Sequence, residues 1–167
     1  MRPQDVVILL KILSLKGQHW QYRDLAHNLS ISISEVSDSL KRSHTAGLVD
    51  ESKKKIFRQS LMEFIEFGLH YVFPQIPGTM VVGYPTGHSH PYFKKKFISD
   101  ENYVWPYMDG NVRGLAIEPL YKGAVAACQK DPDLYLMLAS IDMVRLGRAR
   151  ERKEALNELK KMILHER

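Results

Sequence analysis

The side chains with most chemistry to offer gather before residue 60. Ser32, Ser34, Glu35, Ser37, Asp38, Lys41 and Arg42 lie in one short stretch, and Lys53, Lys54, Lys55 and Arg58 follow it closely. Serine hydroxyls suit contacts to base edges or phosphate oxygens, while Lys and Arg reach phosphate or the acceptor edge of guanine. The set reads as a surface for a polyanion. Asp38 runs against it, because a central carboxylate must either accept from a cytosine amino group or repel phosphate.

Two other constellations compete for attention. In PTGHSHP, residues 85–91, His88 and His90 could offer two imidazoles to a metal from an extended strand, with His70 or Asp100 as a distant third ligand. A zinc site needs three or four defined ligands, and neither HExxH nor paired cysteines occur, so no metal ligand is assigned. Asp142, Arg145 and Arg148 at i, i+3 and i+6 read as links on a helix surface. The single cysteine, Cys128, sits in the apolar run AVAAC and reads as an inert buried thiol. Gly110 and Gly114 lack the spacing of a phosphate-binding loop. The expectation is a protein that is not an enzyme and needs no cofactor.

The elements that must position the polyanion surface are legible from apolar spacing. Leu25, Ala26 and Leu29 form one helix face, and Ile33, Val36 and Leu40 repeat it in a second helix. Between them Ser32, with Glu35 three residues on, marks a helix start by a capping box. Ala46 and Gly47 suit a left-handed end. Two short helices sharing a buried corner cross steeply and leave the polar face of the second outward. Leu48 and Val49, then Ile56 and Phe57, bracket a lysine-rich tip and predict a small hairpin, or wing, beside that face.

Residues 3–57 resemble the winged helix-turn-helix of bacterial MarR-type regulators and of related domains in transcriptional repressors and some antitoxins. Within them SEVSDSLKRSHTAGLV, residues 34–49, is similar to the recognition helix and its exit into the wing. Asp38 and the shortness of the wing depart from that pattern. From PTGHSHP through LYLMLASIDMVRLGRARERKEAL the chain is similar to a bacterial family that carries such a domain at its front; that likeness implies no activity. The resemblance implies a transcriptional regulator on double-stranded DNA, or alternatively a protein-binding module such as the antitoxin of a toxin–antitoxin pair.

The charge distribution agrees. The 167 residues carry a formal net charge of +5. Residues 1–60 hold 10 Lys and Arg against 6 Asp and Glu, whereas the rest holds 14 against 13, so the basic excess belongs to the front. The apolar run in residues 6–13 is short and interrupted by Lys11, which predicts no membrane span and a cytoplasmic protein.

That run leaves the first helix almost without a polar face, so something must cover it all round. Residues 58–72, with Leu61, Met62, Phe64, Ile65, Phe67, Leu69 and Tyr71, also exceed a single stripe. These excess faces predict a homodimer on a two-fold symmetric operator. Residues 73–118 read as an irregular, aromatic-rich section with extended pieces near 80–82 and 114–117. Helical periods return over 120–129, 132–146 and 149–163, with Pro132 in a first turn. The expected architecture is mainly α. It comprises a winged helix-turn-helix with a small β wing (1–57), a linking helix and middle section (58–118), and a helical C-terminal region (119–167).

Overall fold

The computed structural model describes residues 1–165 and is mostly helical. In chain order it runs α1 (Pro3–Ser14), α2 (Tyr22–Leu29), α3 (Ile33–Thr45), α4 (Arg58–Phe67), α5 (Leu69–Val72), β1 (Met80–Pro85), a 3-10 turn (Gly87–Ser89), α6 (Pro91–Lys94), β2 (Tyr103–Pro106), β3 (Val112–Ala116), α7 (Ala124–Lys130), α8 (Pro132–Leu146) and α9 (Ala149–Leu164). Among the described residues no helix is long and apolar enough to cross a membrane.

α1 is buried along its length, from Asp5 to Ile12, as its composition requires. Its cover comes from within the chain: α3 packs on one side and α8 on another. Two polar links fix the second contact, since Lys11 Nζ and Ser14 Oγ both donate to Asp131 Oδ2, at 2.7 and 2.6 Å. Asp131 also caps α8 by accepting from the Leu134 amide at 3.0 Å, with Pro132 in the first turn. The face of α4 that carries Leu61, Met62 and Ile65 is likewise covered, chiefly by α9. The chain thus covers α1 and the Leu61, Met62 and Ile65 side of α4 from within, while Phe67 and Tyr71, counted in the same expectation, stay exposed.

The middle section is more ordered than its composition suggests. β1 pairs antiparallel with β2 (Gly83 opposite Pro106) and with β3 (Gly83 opposite Val112), while β2 and β3 pair in parallel (Tyr103 with Leu115). Each strand thus pairs with the other two and the small sheet closes on itself. Such closeness demands glycine: a Cβ on Gly83 would lie 2.0 Å from the Trp105 carbonyl oxygen. Two of the strands coincide with the expected extended pieces, and β2 does not.

One hydrophobic core takes residues from all three sequence segments, among them Leu9, Leu40, Leu61, Phe93, Trp105, Leu134 and Leu159. Gly68 divides the expected helix 58–72 into α4 and α5. The helix expected over 120–129 is α7, which starts at Ala124.

Candidate nucleic-acid interface

α2 and α3 meet at a tight turn in which Ser30 adopts the left-handed conformation, φ 54°. Ser32 caps α3 by accepting from the Glu35 amide at 3.1 Å. The Glu35 carboxylate does not close the box; it accepts from Gln4 Nε2 at 2.6 Å. α3 ends as its sequence suggests, with Gly47 at φ 77°.

The buried side of α3 is Val36, Ser39, Leu40 and Ser43. Ile33, expected in that stripe, is 54 % exposed. The helix starts at Ile33, so its side chain stands on the first turn before the core closes, and Ser39 and Ser43 take the inward positions against α1 instead.

The expected contact residues divide into two groups. Ser34, Ser37, Asp38 and Lys41, at i, i+3, i+4 and i+7, form one solvent-facing row on α3. Lys41 Nζ lies 3.9 Å from Asp38 Oδ1, both well exposed, an arrangement that contributes little energy. Glu35 and Arg42 lie on the flank turned to α1. Arg42 grips the fully buried Asp5 carboxylate from two nitrogens. Burial alone would raise the Asp5 carboxyl; hydrogen bonds from Arg42 and the Arg2 amide outweigh it and hold it below the ordinary value.

The hairpin after α3 is a single bridge, Val49 opposite Ile56, with Asp50 N donating to Lys55 O (2.9 Å) and Phe57 N to Leu48 O (2.8 Å). Asp50 builds its tip. Its carboxylate accepts from the Lys54 and Lys55 amides at 3.1 and 3.0 Å and from Ser52 Oγ at 2.7 Å. The Lys55 amide first, then Ser52, hold that carboxyl below its usual value. Lys53 turns the chain at φ 61°.

Of the four hairpin cations, two are committed elsewhere. Lys54 Nζ donates to the Trp20 carbonyl at 3.0 Å and sits 3.8 Å from the centre of the Trp20 ring. Arg58 donates to the Ile163 carbonyl at 2.9 Å, at the far end of α9. Lys53 and Lys55 have no ion-pair partner among the described residues, and Lys55 is exposed.

The histidines of PTGHSHP are elsewhere and buried. His88 Nε2 faces the Glu101 carbonyl at 2.8 Å, and His90 Nδ1 accepts from the Tyr92 amide at 3.0 Å. They sit in and after a 3-10 turn, not on an extended strand. Burial pushes the His90 imidazole down to about 4, so it is neutral at pH 7. Among the described residues no group of three His, Cys, Asp or Glu converges as a metal site. Burial pushes the Cys128 thiol up, which leaves it inert as a nucleophile.

The Asp142–Arg145 pair is internal, which corrects its reading as a surface link. Asp142 Oδ2 accepts from Thr86 Oγ1 at 2.6 Å and Trp105 Nε1 at 2.7 Å, and Oδ1 accepts from Arg145 at 2.9 Å. Arg145 goes on to the carbonyls of Phe73 and Glu118, so one pair ties α8 to the turn after β1, to β2 and to two loops. Arg148 lies beyond the end of α8 and is exposed. Every donor of this network ends on a protein acceptor, which marks it as a brace for the fold.

Set against family models, curated proteins and solved structures, the chain finds no match in any of the three.

Proposed function

We propose that residues 1–57 act as a winged helix-turn-helix and that the chain binds double-stranded DNA to regulate transcription. The observation that carries this reading is the solvent-facing row Ser34, Ser37, Asp38 and Lys41 on α3, set next to a hairpin that offers Lys53 and Lys55. In this reading α3 enters a major groove by its N-terminal half, and the hairpin lysines meet the flanking phosphates. One such unit makes few phosphate contacts, so a pair of chains on a two-fold operator supplies the affinity.

The test is binding to mixed duplexes across a range of salt. Affinity should fall linearly with salt on logarithmic axes, with a slope of about −0.9 per phosphate contact. Lys53→Ala with Lys55→Ala should flatten that slope by roughly 1.8, two contacts' worth. Absence of binding at low salt overturns the reading.

A second reading has its own observation. Ile33 exposed at the head of α3, on a helix that also turns the carboxylate of Asp38 to solvent, suits a protein partner such as a toxin better than a phosphate backbone. Co-purification with a partner that Ile33→Ser releases, without DNA binding, supports that alternative.

A further inference from the structure

We infer that a second copy of this chain docks on the apolar face made by Phe67, Tyr71, Val72 and Ile76, forming a two-fold symmetric dimer. The face lies at the end of α4, on α5 and in the loop that follows. These four side chains are 71, 81, 51 and 84 % exposed, whereas Leu61, Met62, Ile65 and Leu69 of the same helices are buried. Phe67 and Tyr71 stand one turn apart on one side of the segment. The apolar surface that α4 and α5 do not spend on α8 and α9 is concentrated here.

Area favours a protein surface of matching kind as occupant. With aromatic side chains offering about 150–250 Å² each, the four residues expose about 550 Å². Two copies would bury about 1,100 Å² in total, which passes the roughly 1,000 Å² expected of a specific interface.

Charge selects a second copy over an acidic or basic partner. In a two-fold contact each group near the axis meets its own twin, so an unpaired charge there repels itself. The ionisable groups beside this face are already engaged: Glu66 pairs with Lys160 at 3.1 Å, and His70 Nδ1 faces the Arg145 carbonyl at 2.9 Å. Glu63 has no ion-pair partner among the described residues and stands one turn back from Phe67 on the same side, so the two-fold axis must pass on the Tyr71 and Ile76 side of Phe67, away from it. From Phe67 to Ile76 the face presents rings and aliphatic carbons, and its one exposed unpaired charge among the described residues, Glu63, stands at the edge toward α4.

Self-association at this face does not rest on the DNA reading.

Light scattering on the eluting full-length chain, with sedimentation at several concentrations, tests the inference. The wild type should run at twice the mass of the chain. Phe67→Glu with Tyr71→Glu, both at exposed positions, should leave the melting curve unchanged and raise the dimer dissociation constant roughly a hundredfold or more, as expected when two interface aromatics are lost. A monomeric wild type, or a double variant that melts normally and stays dimeric, overturns the inference. If the double variant melts early, Tyr71→Ser alone replaces it: a raised dissociation constant upholds the dimer face, and an unchanged one overturns it. A dimer that ignores DNA would remove the regulator reading and leave this one standing.

Discussion

Arg42 on α3 donates from Nε to one oxygen of Asp5 on α1 at 3.0 Å and from Nη2 to the other at 2.8 Å. This paired geometry matches guanidinium to carboxylate and satisfies a buried charge across 37 residues of chain. It orients α3 on α1. Arg42→Ala should therefore act on stability: removing one partner of a buried pair costs about 3 kcal/mol by urea denaturation. A variant that keeps full stability and loses only DNA affinity would show that Arg42 serves the duplex.

Acid should weaken the fold through His90. Its folded value of about 4 lies below the ordinary 6.5, so the unfolded chain binds the extra proton between those limits. Stability from this group is complete above pH 6.5, falls as pH drops toward 4, and changes no further below it. The full span amounts to about 3 kcal/mol. Burial pushes Asp142 upward and so works in the opposite sense. His90→Asn isolates the histidine: urea midpoints measured from pH 7.5 to 4.5 should fall less steeply than in the wild type.

Thr86→Val removes one donor to the Asp142 carboxylate while keeping the side chain's shape. A hydrogen bond to a charged group contributes about 2 kcal/mol, so this variant should lose that much and keep its far-ultraviolet circular dichroism. An unchanged midpoint would mean that Trp105 and Arg145 suffice.

Lys54→Ala separates the hairpin lysines. Because Lys54 rests on Trp20, its loss should cost about 1 kcal/mol and alter tryptophan fluorescence, with the salt slope of DNA binding unmoved. A slope that falls as far as for Lys55→Ala would place Lys54 on phosphate instead.

Gly83→Ala should be severe. The added carbon meets the Trp105 backbone, not a flexible side-chain end, so the strand pair must part. Loss of near-ultraviolet ellipticity from Trp105 is the readout.

What was legible in the residues was local. Apolar period placed α1, α2, α3, α8 and α9, Ser32 and Gly47 marked the limits of α3, and Pro132 the start of α8. What was not legible depended on distant partners. Arg42 reads as a free cation until Asp5 is beside it, Lys54 until Trp20 is, and Arg58 until the chain returns at Ile163. Ile33 matches the spacing of Val36 and Leu40, yet a first-turn position lies outside the core that Ser39 and Ser43 enter. β2 escaped because Tyr103–Pro106 is short, carries proline, and owes its pairing to Gly83 and Leu115 far along the chain.

The mutual pairing of β1, β2 and β3 has a bearing on how the molecule fares at high concentration. Ladder groups that already face a neighbour give an extended foreign segment little backbone to grip. Crowded together, copies of this chain should stay free of strand-to-strand fibre growth, and should meet through greasy side chains or not at all.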